Sequence, residues 1–237
     1  MALAYNALAQ YYNLIYSYKD YKKESDQIVK LINKYKRSEG NMLLDVGCGT
    51  GNHLNYLKKY FVCDGFDLNK GVIEFAKKSI SDVNFSVANM IDFNFNKSYD
   101  VITCLFSSFA YVKTIENATK TIQKFALHLK HGGVIIIESW FAPEEFNNGR
   151  IGLNTYENDD IKIARTSYSY KKENLSFIDM QFIVAEKGKG INHFEDIHEL
   201  GLFDHDEIKT LMEKHGFKVE ILSSLNGRKL FIGTKFL

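Results

Sequence analysis

Apolar runs alternate with amphipathic stretches along most of this chain. Residues 134–137 form a continuous apolar run, which is typical of a parallel strand buried on both faces. Stretches with apolar residues at helical spacing separate such runs, and this alternation predicts an α/β fold with a doubly wound, mostly parallel sheet. The predicted strands cover residues 42–46, 62–67, 83–87, 99–105 and 133–140, and the predicted helices cover residues 3–17, 20–37, 52–60, 70–80 and 115–130.

The pattern changes between residues 151 and 203, where helical periodicity is almost absent. We interpret this region as an antiparallel β insertion that covers the ligand crevice, with strand-like stretches at residues 161–170, 176–186 and 193–203 and a turn at 187–190. A helix and two strands then return the chain to the main sheet, at residues 205–215, 217–223 and 229–236. The predicted division is a main domain over residues 1–141 and 204–237 and an insertion over residues 142–203.

Composition narrows the class of protein without identifying it. The chain has 237 residues with 45% hydrophobic residues, which suits one domain with an elaboration. Its 30 basic and 29 acidic residues give a net charge of +1, so we expect no nucleic-acid partner. No apolar run has the length of a membrane span and no signal peptide is recognisable, so we expect a cytoplasmic protein without a membrane partner.

The candidate chemistry begins where the first predicted strand ends. Asp45 closes an apolar run, and Gly47, Gly49 and Gly51 follow at alternate positions. Glycines accept a positive φ and let a ligand approach the main chain. A dinucleotide loop places its third glycine one residue later, which disfavours a nicotinamide oxidoreductase. The loop fits S-adenosylmethionine, whose ammonium end would lie near Asp45, and the segment resembles motif I of the class I methyltransferases, which have a Rossmann-like fold.

Polar residues also follow the next predicted strands, at the edge of the sheet where open α/β proteins bind ligands. Asp67 ends the second strand, where a carboxylate can accept hydrogen bonds from both ribose hydroxyls, although it could alternatively cap the next helix. Asn89 and Met90 follow the third strand, where methyltransferases often carry an acid and an apolar residue against the adenine. We expect residues 104–111, after the fourth strand, to face the methyl group and the substrate.

A narrower resemblance spans nearly the whole chain. It is similar to the sugar N,N-dimethyltransferases that complete desosamine and mycaminose on a dTDP-linked amino sugar. The segments that carry this resemblance are residues 12–14, 19–21, 43–54, 106–108, 138–140, 143–144, 188–191, 193–194, 227–228 and 230–231. It implies a class I methyltransferase domain that binds S-adenosylmethionine and acts as an N-methyltransferase on a nucleotide sugar.

The resemblance also implies a set of site residues. Tyr111 and Tyr5 are the catalytic candidates, and Tyr111 occupies a position near the amine that the family fills with His or Tyr. Asn89 departs from the acid that the family often carries. When the loop residues and Leu68 are included, the residues expected to bind the cofactor are Tyr5, Tyr21, Asp45, Gly47, Gly49, Gly51, Asp67, Leu68, Asn89, Met90 and Leu105. The residues expected to bind the substrate are Tyr12, Ser107, Ser108, Trp140 and Arg228.

Several alternatives stay open from the sequence. Tyr111 could pack as part of a lid, and Arg228 could be a surface arginine. The acceptor could be another small amine or a carboxylate, and a cofactor-binding protein without catalysis also fits the loop. His193 and His198 lie five positions apart on a strand-like segment and would face opposite sides, so we expect no metal. The sequence does not determine the oligomeric state, and a homodimer is one of the alternatives.

Overall fold

The computed structural model describes residues 11–236, which form a seven-stranded sheet, a four-stranded sheet and the helices that cover the larger sheet. The larger sheet contains β1 (Met42–Val46), β2 (Val62–Asp67), β3 (Val83–Val87), β4 (Tyr99–Cys104), β5 (Leu129–Glu138), β10 (Phe217–Ser223) and β11 (Lys229–Lys235). Its strand order is β10-β11-β5-β4-β1-β2-β3. Neighbours from β3 to β5 are parallel, and β11 runs antiparallel to both β5 and β10. The predicted doubly wound, mostly parallel sheet is therefore confirmed.

Burial on both faces explains why residues 134–137 of β5, near the centre of this sheet, are continuously apolar. Val134 and Ile136 of β5 pack in one hydrophobic cluster, while Ile135 and Ile137 pack in another on the opposite face. Successive side chains of a strand point to opposite faces, so each face needs its own helical cover. The predicted start of β5 at residue 133 was too late, since pairing with β4 begins at Leu129, before a register shift.

Side chains cap the first turns of the four longer helices of residues 11–236. The helices are α1 (Tyr21–Tyr35), α2 (Leu54–Leu57), α3 (Lys70–Ser79), α4 (Ile115–His128) and α5 (His205–Lys214), with a 3₁₀ helix at Ser108–Val112. Asn69 accepts hydrogen bonds from the amides of Gly71 and Val72 at the start of α3, so Asn69 caps this helix. The prediction over residues 52–60 was too long, and that over 3–17 lies partly outside the described residues. No helix among residues 11–236 is long and apolar enough to cross a membrane.

The smaller sheet is an antiparallel meander of four strands in chain order. It contains β6 (Arg150–Glu157), β7 (Ile161–Lys172), β8 (Leu175–Glu186) and β9 (Gly190–Gly201). Three strands overlap the predicted stretches, whereas β6 was missed. Side chains along β6 are alternately exposed and half-buried, because β6 is an edge strand, so it lacks the buried apolar period that marks a strand in sequence.

Candidate active site

A cavity of about 1280 Å³ lies at the carboxyl ends of the parallel strands. Asp45 of β1, Asp67 of β2 and Leu105 after β4 line it from the larger sheet, while Met180 of β8 and His198 of β9 line it from the smaller one. Carboxyl ends of parallel strands are where open α/β sheets bind ligands. The cavity therefore joins the cofactor edge predicted from the sequence to the inner face of the four-stranded sheet.

The glycine loop after β1 has backbone conformations that favour glycine at each of its three glycines. Gly47, Gly49 and Gly51 have φ angles of +66°, +55° and +81°. A Cβ on Gly49 would meet no atom within 4 Å, so this part of the loop presents bare main chain to the cavity. A Cβ on Gly51 would lie 2.7 Å from Cδ1 of Ile80, so Gly51 serves close packing and does not line the cavity.

Two carboxylates flank this loop, the buried Asp45 and the half-buried Asp67. Thr103 donates a 2.7 Å hydrogen bond to Oδ1 of Asp45, and burial raises the pKa of Asp45 to about 6. Asp67 accepts hydrogen bonds from the amides of Gly49 at 3.0 Å and Asn69 at 2.9 Å, and burial raises its pKa as well. Both acids are thus costly to ionise without a polar or cationic partner, as expected beside a ligand that carries an ammonium group and hydroxyls.

Asn89 and Met90 lie at the end of β3, on the same side of the cavity. The side-chain oxygen of Asn89 accepts a 3.1 Å hydrogen bond from the amide of Ile91, which orients the carboxamide. The Met90 methyl group is 3.5 Å from a Cβ built on Gly47, so it packs close to the glycine loop. Leu68 lines the same end of the cavity and is 69% exposed. Two apolar side chains and one amide therefore line the cavity near Asp67.

The turn after β4 contains two consecutive non-glycine residues with positive φ. Phe106 has a φ of +52° and Ser107 a φ of +61°. Such conformations cost roughly 1–3 kcal/mol each and persist when neighbours enforce them. Glu138 at the end of β5 accepts the Phe106 amide at 2.7 Å, and the Ser107 hydroxyl donates to the Ser139 carbonyl at 2.6 Å. Sequence reasoning assigned no role to Glu138, although its position at a strand end was a usable signal.

Arg228 lies over two aromatic rings with no acidic partner. Its guanidinium carbon is 4.1 Å from the ring centre of Trp140 and 3.9 Å from that of Phe141. Its Nη1 atom is buried without a hydrogen bond, and no ion pair among residues 11–236 includes this arginine. Burial lowers the pKa of Arg228 to about 10, so the group is still cationic at neutral pH. A half-buried guanidinium without an ion pair that lines a cavity is suited to an anionic ligand.

Two further arginines line the cavity and were missed by the sequence analysis. Arg165 of β7 is buried, donates a 2.7 Å hydrogen bond to the Tyr16 hydroxyl and also bonds Asn154. Arg150 of β6 lies at the same cavity, close enough for its charge to contribute to the lowered pKa of Arg228. Neither carried a motif, and only the pairing of β6 with β7 places them on the inner face of the smaller sheet.

Tyr111 faces the cavity from the 3₁₀ helix and is hydrogen bonded to the smaller sheet. Its hydroxyl contacts Nδ1 of His198, and Nε2 of His198 lies 2.7 Å from a carboxylate oxygen of Asp196. The sequence analysis considered His198 only as a metal ligand. No cluster of three His, Cys, Asp or Glu side chains within the described part of the chain could hold a metal ion.

The segment before α1 closes the cavity over the glycine loop. The Asn13 side-chain oxygen accepts hydrogen bonds from Thr50 Oγ1 at 2.8 Å and Asn52 Nδ2 at 3.0 Å. Tyr12 is half-buried, desolvation raises its pKa, and burial raises the pKa of Tyr21 to about 12. Both phenols therefore stay neutral at physiological pH.

The structure brings most of the predicted site residues to one cavity. Tyr5 lies outside the described residues, and Gly51 lies behind the cavity wall. The predicted residues that line the cavity are Tyr12, Tyr21, Asp45, Gly47, Gly49, Asp67, Leu68, Asn89, Met90, Leu105, Ser107, Ser108, Tyr111, Trp140 and Arg228.

The sheet order, the glycine loop and the acids at the strand ends define a class I S-adenosylmethionine-dependent methyltransferase. The chain belongs to the methyltransferase domain family, whose sequence profile matches residues 19–222. The bare main chain at Gly49 fits this cofactor, as do the Asp45 and Asp67 carboxylates that line the same cavity.

Three similar proteins narrow the class further. The chain is 34% identical to the dTDP-3-amino-3,4,6-trideoxy-alpha-D-glucopyranose N,N-dimethyltransferase of Streptomyces venezuelae, over 95% of this chain and 96% of the relative. It is 32% identical to the dTDP-4-amino-2,3,4,6-tetradeoxy-D-glucose N,N-dimethyltransferase of Saccharopolyspora spinosa, over 96% of this chain and 92% of the relative. The structure of SAM-bound CalS10, an amino pentose methyltransferase from Micromonospora echinaspora, covers 92% of both chains at 26% identity and a TM-score of 0.82.

Proposed function

We propose that this enzyme transfers methyl groups from S-adenosylmethionine to the amine of a nucleotide-linked amino sugar, with dTDP as the carrier. The observation that carries the proposal is the unpaired Arg228 guanidinium, which lies on Trp140 and Phe141 and opens into the same cavity as the glycine loop. A cationic fork is what a diphosphate requires, whereas a small neutral amine would leave it unmatched. The names of two similar enzymes specify dTDP-amino sugars, which agrees with this chemistry.

The cofactor half of the cavity is formed by the ends of β1, β2 and β3. When bound, S-adenosylmethionine supplies an electrophilic methyl group on a sulfonium. In this proposal Asp45 attracts the ammonium end, Asp67 accepts hydrogen bonds from the ribose hydroxyls, and Asn89 meets the adenine amine. Leu68 and Met90 lie against the two faces of the adenine, and the main chain at Gly47 and Gly49 approaches the cofactor without interference from a Cβ.

The substrate half lies between the turn after β4 and the inner face of the insertion. Arg228 binds the diphosphate in bidentate fashion, and Arg150 at the mouth of the cavity adds a second positive charge. In this proposal the nucleotide sugar lies between a polar turn, which contains Ser107 and Ser108, and the aromatic rings of Tyr12 and Trp140. The insertion over residues 142–203 covers the substrate, and the amine of the substrate lies near Tyr111.

The expected chemistry needs alignment more than acid catalysis. The amine must be neutral to attack the methyl carbon, and the leaving thioether needs no proton. Holding the two reactants in line can contribute up to about 7–11 kcal/mol in ideal cases. The role of the chain is thus to orient the amine, to exclude water and to accept the proton that the nitrogen loses.

Methyl transfer to defined amino sugars tests this proposal. The purified protein is incubated with S-adenosylmethionine and either a dTDP-3-amino or a dTDP-4-amino sugar, and mass spectrometry detects the addition of one or two methyl groups. The matched control is the same amino sugar without its nucleotide, which we expect to be a much poorer substrate because it cannot engage Arg228. Turnover of glycine or a simple amine in preference to the nucleotide sugars would reject the sugar assignment.

Calorimetry tests the cofactor independently of the acceptor. We expect binding of S-adenosylmethionine and none of NADH, because the glycine loop lacks the dinucleotide spacing. Binding of NADH alone would overturn the methyltransferase reading.

A further inference from the structure

Tyr111, His198 and Asp196 form a hydrogen-bonded chain that begins at the cavity. Tyr111 comes from the 3₁₀ helix after β4, whereas His198 and Asp196 are two positions apart on β9 and share one face of the smaller sheet. The Tyr111 hydroxyl contacts Nδ1 of His198, and Nε2 of His198 is 2.7 Å from Oδ2 of Asp196. All three side chains line the cavity, and the Tyr111 ring is 44% exposed.

The contacts on the two ring nitrogens determine the direction of these hydrogen bonds. An ionised carboxylate can only accept, so Nε2 of His198 carries the hydrogen that points to Asp196. In a neutral imidazole the other nitrogen is then an acceptor, and the Tyr111 hydroxyl donates to Nδ1. A phenol oxygen that donates in this way keeps lone pairs with which it can accept a hydrogen bond from a substrate amine.

We infer that Tyr111, His198 and Asp196 act as a proton relay that removes the proton which the amine must lose at each methyl transfer. This inference rests on the proposed function, and it deepens it by naming the path of the proton. Tyr111 would touch the amine and is the catalytic residue, while His198 and Asp196 act through it as positioning residues. The class of substrate follows as well: an amine that carries a removable hydrogen, and not a carboxylate.

The relay step balances in protons and electrons. The amine nitrogen forms a bond to the methyl carbon as the carbon–sulfur bond breaks, and the sulfur keeps that electron pair. A hydrogen on nitrogen passes to the Tyr111 oxygen as the phenol hydrogen passes to Nδ1 of His198. The imidazolium formed is stabilised by the Asp196 carboxylate, in the manner of a histidine oriented by an aspartate, and returns its proton to solvent before the next cycle.

Other charged groups face this relay and influence its pH dependence. Arg150 and Arg165 lie on the same inner face of the smaller sheet as His198 and line the same cavity. The half-buried Tyr12 interacts electrostatically with Tyr111, and its pKa is raised mainly by desolvation, with Tyr111 as one of the smaller causes. Lys113 lines the same cavity and is paired with Glu199 at 2.5 Å, which largely neutralises its charge.

The test measures kcat as a function of pH with a dTDP-amino sugar, for the unaltered protein and for His198→Gln and Asp196→Asn. We expect His198→Gln to lower kcat by roughly 10- to 100-fold, at the lower end of general acid–base effects because water can also take the proton. The acidic limb of the kcat profile should move or disappear, while the KM for S-adenosylmethionine stays the same. His193→Gln is the matched control, because His193 is exposed and lies on the opposite face of the same strand.

Tyr111→Phe keeps the test decisive if a variant in β9 does not fold. It removes one oxygen atom from a half-exposed ring, and we expect the same loss in kcat and the same change in the pH profile. Normal methylation by the unaltered protein, together with unchanged kcat and pH profiles in His198→Gln and Tyr111→Phe, would overturn the relay alone. Failure of the unaltered protein to methylate any amino sugar would overturn the proposed function as well.

Discussion

Arg228 offers a perturbation whose effects on stability and on substrate binding have opposite signs. Replacing it in Arg228→Met keeps an unbranched side chain between Trp140 and Phe141 but removes a half-buried cation whose buried Nη1 atom has no hydrogen-bond partner. A buried polar group without a partner costs roughly 1–3 kcal/mol. With part of that cost offset by lost contact to the rings, we expect the free energy of unfolding to rise by about 1 kcal/mol, which corresponds to an increase in Tm of roughly 2–4 °C for a chain of this size.

The same variant should lose substrate affinity. A bidentate guanidinium–phosphate contact contains two charge-assisted hydrogen bonds, each worth roughly 1.5–3 kcal/mol. Taking the lower value for both gives about 3 kcal/mol, so we expect the KM for the nucleotide sugar to rise on the order of 100-fold. Arg228→Lys keeps a charge and loses the fork, and we expect an increase of roughly 10-fold. The KM for S-adenosylmethionine should not change in either variant.

Thermal melts and steady-state kinetics on the same preparations check both halves of this prediction. Arg37→Met is the matched control: Arg37 is exposed and bonds only to main-chain carbonyls near the end of α1, so its loss should leave both KM values unchanged. An unchanged KM for the nucleotide sugar in Arg228→Met would refute the phosphate role. A fall in Tm would refute the reasoning from the unpaired charge, since stacking on the two rings would then outweigh its burial cost.

Three further predictions concern the cofactor side and the turn after β4. The folded pKa of Asp45 is raised to about 6, so its contribution to stability is present below the pKa of an unfolded aspartate and is lost as pH rises through 6. Because Asp45 must be ionised to attract the ammonium end, cofactor affinity should weaken as pH falls through 6. Asp45→Asn should weaken that affinity by roughly 10- to 100-fold and abolish its pH dependence, as measured by calorimetry. Gly49→Ala should weaken cofactor binding, with a loss of about 1 kcal/mol in the free energy of unfolding, whereas Gly51→Ala should mainly lower Tm. Equal losses of cofactor affinity in the two variants would contradict the packing of Gly51 behind the cavity wall. Glu138→Ala should release the strained Phe106 and lower kcat by about 10-fold with little effect on cofactor affinity, and an unchanged kcat would show that this turn needs no such support.

Much of the fold could be predicted because its determinants are local. The central strands β1 and β5 are buried on both faces and contain short continuous apolar runs, and Asp45 and Asp67 stand out as acids at the ends of β1 and β2. The glycine spacing of the loop is also a local property, since the φ angles of Gly47 and Gly49 depend on a turn of a few residues. For this reason the class of protein could be predicted before any tertiary contact was known.

The edge strand β6 could not be predicted in the same way. Its side chains are alternately exposed and half-buried, so its composition does not mark it as a strand. It is a strand because it pairs with β7. Arg150 and Arg165 remained unnoticed for the same reason, because a single arginine on a polar strand has no periodic signature. Their place at the cavity depends on which face of the smaller sheet is turned toward the larger one.

The sequence by itself determined the parallel sheet, the position of the loop and the identity of the cofactor, because these depend on short-range patterns. Only the tertiary structure decided what faces the cofactor. Tyr111 and His198 are 87 residues apart, and Arg228 meets Trp140 through the pairing of β11 with β5. The first contact joins the two sheets and the second depends on strands far apart in the chain, so no local propensity encodes either of them. The acceptor side of this enzyme is therefore a property of packing, whereas its cofactor side is a property of sequence.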